Sequence, residues 1–391
     1  MPRADATTMR PSRAALLFLL IGNIVIGSGV LAPAAMINAM TVDLGVSAVA
    51  IGALIGWGAV VLCIGAPAFG FLTNRMDRRF LLAASLVLYA VGHAASAFAP
   101  DYETLFIIRL AMISGAAIFT PQAASAVALM VPEARRASSI ALVFMGWAIA
   151  GAVVVPFMSI FAETMNWRYL YAGLAVAAAV AAAGVVLLMP AGLYPARMTL
   201  RTWGGVLTRP PILFLLGTTC LQLIGQFTLY PYLAAELRRA TEADATGVAL
   251  VFGLYGAAGL FGSIVAARTV DWIGAPRSQL ICLLTLAAGL AGWSLFSTSL
   301  VLTAGSIFVW GLGFGAAVSM QQARLIAVAP ALASASVALN TSVLYLGQAL
   351  GSAIGGALIA YRFPSLLGPA GLVFLLLAFA ASAWAYRRFA A

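Results

Sequence analysis

Twelve long apolar stretches run through this chain of 391 residues, and the polar segments between them are short. That pattern leaves few solutions. Backbone crossing hydrocarbon must satisfy its own N–H and C=O groups, so the stretches are helices or the strands of a closed barrel. Barrel strands alternate polar and apolar residues and are shorter. These runs are continuously apolar over roughly 18 to 29 residues, enough for a helix to cross a hydrocarbon layer ~30 Å thick. Composition agrees: 63% of residues are hydrophobic and 8% charged, and mean hydropathy is +1.06. A water-soluble fold of this size would be left with an oily exterior.

The expected spans are Ala14–Ile37, Ala48–Leu72, Phe80–Phe98, Thr104–Met130, Ser138–Phe161 and Tyr169–Met189, then Pro211–Ala234, Thr246–Ala267, Gln279–Phe296, Ser299–Ala327, Ala335–Ala360 and Leu367–Tyr386. The two sets of six repeat each other. Gly65 to Arg79 connects the second and third spans, and Gly262 to Arg277 connects the eighth and ninth. Gly65 and Gly262 are 197 positions apart, as are Asn74 and Asp271. A duplicated six-span half with the same polar punctuation is a transporter architecture. The expected class is an all-α polytopic membrane protein with twelve transmembrane helices in two pseudo-symmetric six-helix bundles. Residues 1–190 form the first bundle, 191–210 a cytoplasmic linker and 211–391 the second.

Arginine sets the orientation, because every one of the 21 basic residues is Arg. Arg168, Arg238, Arg239 and Arg362 lie on one side, and Arg109 and Arg324 fall inside spans. The other fifteen, among them Arg3, Arg10, Arg197 and Arg201, lie on the side shared by both termini. Positive charge stays inside, so both termini are expected in the cytoplasm, with the chain in the inner (plasma) membrane. The net charge of +10 thus has a membrane explanation, and no basic, aromatic-laced soluble segment points to nucleic acid. Cys63, Cys220 and Cys282 sit within spans, without Cys/His spacing for a metal. No cofactor is expected, and the single His and uncharged span centres offer no catalytic constellation. The apolar run after the first thirteen residues is too long for a cleaved signal.

The duplicated connector resembles the cytoplasmic signature loop of the major facilitator superfamily. The second copy matches at Asp271, Gly274 and Arg277, with Trp272 where the family places its first basic residue. The first copy has Asn74 in place of the family's aspartate, and Asp77 in place of its glycine. Leu105 to Arg109 resembles the family's fourth-helix motif. Gly146, Gly151 and Pro156 partly resemble the fifth-helix antiporter motif, with Val153, Val154 and Val155 among them. Asn166-Trp167-Arg168 and Val131-Pro132-Glu133-Ala134-Arg135-Arg136 extend the resemblance toward the drug:proton antiporter, arabinose-efflux-permease-like branch. The resemblance implies the major facilitator fold and alternating access, and a monomer in the bilayer. It also makes Asn74, Arg75, Asp77, Arg78, Arg268, Asp271 and Arg277 a cytoplasmic gate that latches the halves. Physically, a carboxylate at a helix end caps amides and pairs with arginine; Asn74 can only cap.

Ionisable groups inside a bilayer are costly and mark function. Arg109 and Arg324 are such groups, and Arg109 either attracts an anion or acts as a strut bonded to carbonyls. No Asp or Glu falls near the middle of a span, although a buried carboxylate is the ordinary proton carrier of a pump. Coupling candidates are therefore His93, Glu163 and Glu236, beside the option that no membrane side chain couples to protons. Gln222, Gln226 and Tyr230 follow at steps of four on one helix face. The resemblance places the first, fourth, seventh and tenth helices around the cavity. Asn23, Arg109, Gln122, Gln222, Gln226, Tyr230 and Gln321, with Asn340 and Tyr345 from the eleventh, are the substrate-binding candidates; an alternative for each amide is a bond between helices. The expected activity is export of a small amphipathic or weakly polar organic molecule, coupled to protons. The alternatives are a gradient-driven facilitator or sugar-efflux protein, and a transporter-fold ligand sensor.

Overall fold

The computed structural model describes residues 13–194 and 205–389. Arg3, Asp5, Arg10, Arg197, Arg201 and the middle of the expected linker lie outside the described residues, as does the side chain of Glu133. Twelve helices are long and apolar enough to span a membrane, and no strand occurs among the described residues. They are α1 (Arg13–Ala35), α2 (Ala48–Leu72), α3 (Arg78–Ala97), α4 (Tyr102–Met130), α5 (Ser138–Thr164) and α6 (Trp167–Leu188), then α7 (Pro210–Thr241), α8 (Ala245–Ile273), α9 (Ala275–Phe296), α10 (Leu300–Val328), α11 (Ala335–Ala360) and α12 (Pro364–Phe389). With twelve spans, the start of α1 and the end of α12 fall on one side, called inner below. Leu187, Leu295 and Val301 point outward from the bundle, fully in keeping with a multi-pass membrane protein whose exterior meets lipid.

The loops are short because capping residues start the helices promptly. Ser47, Asp77, Asp101, Asn166 and Asp244 each accept a backbone N–H in the first turn that follows. The bond from Thr104 N–H holds the Asp101 carboxyl below its usual range. Helices within each set of six pack mainly on one another: α3 on α4 and α6, α1 on α5 and α6, α9 on α10 and α12, α7 on α11 and α12. Two long seams join the sets, α2 against α11 and α5 against α8.

Three elements depart from the sequence expectation. After α1 a short helix, Ile37–Leu44, carries the chain along the outer end and stops at Gly45, whose φ of 63° suits a residue without Cβ. Polarity at Asn38 and Asp43 hid this helix from an apolarity count. In α5, residues 150–154 form a wide π turn just before Pro156. Proline has no N–H to give the preceding turn, so the ladder there widens. α7 runs to Thr241 rather than Ala234, and is broken by a tight turn at Tyr230–Tyr232 around Pro231. Its outer segment stays helical because Leu233, Ala234 and Leu237 are buried while the Arg239 guanidinium pairs with Glu236 one turn away (2.8 Å).

An outer clamp fixes the N-terminal loops. The Arg168 guanidinium pairs with Asp43, lies 4.3 Å over the Trp167 ring, and donates to Ala99 O at 3.0 Å. Trp167 Nε1 donates to the same carboxylate at 3.1 Å. The hydrogen bond from Arg168 holds the Asp43 carboxyl below its ordinary value of 3.8. A depressed carboxyl contributes stability that is present above its unfolded value and lost as pH falls through its folded one. The melting-temperature gap between wild type and Asp43→Asn should therefore be constant from pH 8 to about 5 and close below about pH 4, as thermal unfolding in detergent against pH will show. A gap that closed already near neutrality would contradict the clamp.

Candidate functional site

The two sets of helices are sealed at their outer ends. The Arg238 guanidinium of α7 pairs with Glu163 of α5. Asn38 Nδ2 donates to Ala234 O at 3.5 Å, and Ser352 Oγ of α11 donates to Gly52 O of α2 at 3.1 Å. Tyr232 OH reinforces this seam by donating to Ser352 O at 2.9 Å. A Cβ on Gly52 would sit 2.1 Å from the Tyr232 ring, so only glycine allows the approach. α1 meets α7 chiefly at the Tyr230–Tyr232 turn and the helix beyond it.

No ion pair joins the two sets of helices at their inner ends among the described residues. The resemblance assigns the two connectors to a latch between halves, but here they bond locally. Asp77 accepts Arg79 N–H at 2.9 Å and Gly192 N–H at 2.6 Å. Arg78 is buried and donates to Thr73 O (2.9 Å) and Met76 O (3.3 Å). Asp77 and Arg78 thus tie the connector to the chain leaving α6. Asn74 and Arg75 make no side-chain bond among the described residues. Asp271, Arg268 and Arg277 are exposed, and none of these side chains has a partner among the described residues. Ala66, Ala116, Thr120 and Phe144 of the first set face Thr341 and Tyr345 of the second across a small cleft.

On the N-terminal side of that cleft, Asn23 is buried and fully bonded. Its Nδ2 donates to Val143 O at 3.2 Å, and its Oδ1 accepts from Thr120 Oγ1 at 2.9 Å. Gly146 permits this contact, because a Cβ there would meet Leu20 O at 2.7 Å and the Asn23 Cβ at 2.8 Å. The second half also carries a Thr–Asn bond, between a different pair of helices. Thr219 Oγ1 of α7 donates to Asn340 Oδ1 of α11 at 2.6 Å, and Asn340 stands 197 positions after Val143. Gln122 is buried and lies toward Gly70 of α2.

Arg109 is 1% exposed, and three carbonyls surround it. Nε donates to Leu54 O (3.1 Å), Nη1 to Gly29 O (3.1 Å) and Nη2 to Val30 O (2.9 Å). The fork geometry of guanidinium suits such a triple bond between α4, α1 and α2. His93 is buried in the same core, edge-on to Tyr89 (4.5 Å) and near Tyr171 (5.3 Å). Glu236 is buried beside Arg239, whereas Glu163 holds the cross-seam pair already described.

On the C-terminal side, Gln222 Oε1 accepts from Gln279 Nε2 at 3.0 Å, and Gln226 Oε1 accepts from Trp310 Nε1 at 3.2 Å. Both amide nitrogens lack partners although buried. Tyr230 stands among rings: Phe227 at 5.4 Å, Phe252 at 6.0 Å, Tyr255 at 5.4 Å and Trp310 at 6.2 Å. Tyr255 continues the stack to half-buried Phe314 at 5.7 Å. Tyr255 and Trp310 each lie ten residues into helices that begin at the outer end, ~15 Å deep, which is the middle of a ~30 Å layer. Gln321 donates to Leu215 O and accepts from Arg324, whose guanidinium also donates to Ser382 Oγ at 2.7 Å.

The structure therefore gathers Gln226 and Tyr230 in one aromatic layer, and places Tyr345 on the cleft. Asn23, Asn340, Gln222 and Gln321 bond between helices. Sequence reasoning missed Phe252, Tyr255, Trp310 and Phe314, because single aromatics in apolar runs look like core. Trp310 heads the glycine run to Gly315, and that unusual neighbourhood was the available signal.

At Gly256 of α8, the seam with α5 closes to a backbone contact: a Cβ would lie 2.3 Å from Ala152 Cα and 2.8 Å from Gly151 C. A Cβ on Gly253 would lie 3.8 Å from Pro156 Cγ, while one on Gly151 would meet nothing within 4 Å.

Comparison with known proteins agrees with this build. The model of the Major Facilitator Superfamily matches residues 17–352, with a second match over residues 215–390. The "Inner membrane transport protein YdhP" of Escherichia coli is 30% identical over 371 residues, covering 92% of this chain and 94% of that one. A "Probable sugar efflux transporter" of Mannheimia succiniciproducens is 25% identical over 307 residues, 77% of this chain and 76% of that one. Among solved structures, the nucleoside transporter NupG superposes with a TM-score of 0.78 at 12% identity over 95% of this chain and 99% of that one. A bacterial homolog of the lysosomal transporter Spinster, in an inward-facing and unoccupied conformation, gives 0.73 at 14% identity over 97% and 98%. Twelve spans, the duplicated connector and the family match together establish that the chain is a transporter of the major facilitator superfamily, not an enzyme.

Proposed function

We propose that this protein exports a small, uncharged amphipathic molecule from the cytoplasm across the inner membrane by alternating access, driven by protons. The observation that carries the substrate class is the mid-depth layer of Gln226, Tyr230, Tyr255 and Trp310. It offers ring faces and a buried amide N–H without a partner, with no carboxylate among the residues that line it. Rings accept a flat apolar body, and the amide donates to a carbonyl or hydroxyl on it. A permanent cation would find no counter-charge there, while Arg109 and Arg324 lie buried in the flanking helices. Outer ends bonded across the two sets, with no ion pair across the inner ends among the described residues, suit one state of a rocking cycle, with 1–190 and 211–391 as the rocking bodies and 191–210 as their tether.

Glu163 is the coupling group in this reading. It pairs with Arg238 across the outer seam, so a proton arriving from outside removes half of the seal and favours opening outward. His93 and Glu236 lie buried away from the seam, His93 among tyrosines and Glu236 against Arg239. Glu163→Gln should abolish substrate accumulation driven by an imposed pH gradient in proteoliposomes, yet leave downhill exchange within about twofold of wild type, while Glu236→Gln and His93→Gln keep pH-driven accumulation. Unimpaired pH-driven accumulation in Glu163→Gln would remove it as the carrier. The relative named as a sugar efflux transporter supports a second reading, since a Trp–Gln pair also suits a sugar ring; competition by sugars against the amphiphile separates the two.

A further inference from the structure

Trp147 of α5 carries an indole Nε1–H that is buried and has no partner among the described residues. The neighbours of this ring fix the direction it faces. A Cβ on Gly27 of α1 would lie 3.2 Å from it. Phe144 stands three residues before Trp147, on the same face of α5, and looks across the cleft at Thr341 and Tyr345 of the second half. Leu142 and Met145 are exposed and lie five and two residues before Trp147, on the far side of the helix. The indole therefore points between the halves, away from lipid. Its depth is that of the ring layer. Gly151, one turn (~6 Å) outward of Trp147, touches α8 at Gly256, whose added Cβ would lie 2.8 Å from Gly151 C. Gly256 directly follows Tyr255 of the layer.

Two buried N–H groups thus stand near mid-depth on different halves, Trp147 Nε1 and Gln226 Nε2, and neither has a partner among the described residues. Chemistry fixes both as donors. An indole nitrogen can only donate, so the Gln226 end that meets Trp310 Nε1 is its oxygen, and the free end is the amide nitrogen. The tyrosine hydroxyls of the layer give or accept, so the two N–H groups set the preference. A buried donor without a partner is costly, and a ligand entering this layer is favoured when it brings acceptors. We infer that Trp147 is the first half's wall of the substrate site, and that the substrate is a flat ring carrying a carbonyl on each of two opposite edges, as a quinone does. One carbonyl takes the Gln226 amide N–H and the other the Trp147 indole N–H, while the ring body lies against Tyr230 and Tyr255. A plain hydrocarbon ring leaves both donors unmade. This deepens the export reading above and rests on it.

The test is equilibrium binding to the full chain in nanodiscs, with each affinity taken relative to partition into empty nanodiscs. The probes are duroquinone and hexamethylbenzene, which share a shape but differ in the two carbonyls. Wild type should bind duroquinone at least about tenfold tighter, the return on two neutral hydrogen bonds. Trp147→Phe keeps a ring and removes the N–H. It should weaken duroquinone about fivefold, leave hexamethylbenzene within about twofold, and melt no lower than wild type, because it deletes an unmade donor. Gln226→Met should cost duroquinone a similar factor from the other half. Undiminished duroquinone binding in Trp147→Phe would overturn the role of Trp147. A wild type that binds neither ring, or both alike, would overturn the acceptor class. Binding as expected in protein that moves no amphiphile in proteoliposomes keeps the site and retires the export reading. Export of a neutral amphiphile by a chain without the duroquinone preference retires this site alone.

Discussion

Replacing Arg109 by methionine should destabilise the first six helices outright rather than merely slow transport. The guanidinium bonds three carbonyls, Leu54 O, Gly29 O and Val30 O, on two neighbouring helices. Their amide ladders pass close to glycine at position 29, where no side chain could replace the missing donors. Removing one partner of a buried, charge-assisted set costs roughly 3–5 kcal/mol. For a protein of this size that lowers the melting temperature by about 4–6 °C in detergent. Arg109→Lys should recover only part of it, because an ammonium cannot present three N–H donors along two helices in one plane. A methionine variant that melts with wild type and loses only transport would instead make Arg109 an anion-binding group.

The second large effect belongs to Gly256. Its Cβ would lie 2.3 Å from Ala152 Cα, against backbone that cannot swing aside. Gly256→Val forces α8 from α5 where the two backbones touch, an overpacking cost of about 1–3 kcal/mol. Transport should fall by at least tenfold, in the range of that cost, while the protein remains folded. Gly151→Ala is the control, since nothing lies within 4 Å of its added methyl. It should transport within about twofold of wild type. Initial rates in proteoliposomes alongside size-exclusion profiles check both. Near-normal rates in Gly256→Val would show that the halves do not rock about this seam.

The fold was legible because a bilayer turns hydropathy into length, and twelve apolar runs became twelve spans with ends shifted by a few residues. What escaped was everything set by a local break. Pro231 splits α7, Pro156 and the turn before it widen α5, and polar Asn38 and Asp43 sit on a helix that apolarity does not mark. At the site, step-of-four spacing joined Gln222, Gln226 and Tyr230 on one face, and the structure divides them: Gln222 goes to Gln279, Gln226 to Trp310. Spacing along one helix states which residues share a face, but the partner helix decides what that face meets. Arg109 shows the same limit. The sequence left anion attraction and a carbonyl strut open, and only the positions of α1 and α2 around it supply the three acceptors. Glu163 looked like one of several residues at helix ends, and its place opposite Arg238 depends on how the two sets of helices lean together.

Proteoliposome transport of a neutral, ring-bearing fluorescent amphiphile under an imposed pH gradient tests the central claim most directly, with a permanently charged cation of similar shape measured in parallel. The account predicts saturable accumulation of the neutral compound only while the gradient lasts, with the cation left untransported. Accumulation of the cation in its place, or equal transport of both without a gradient, would contradict it.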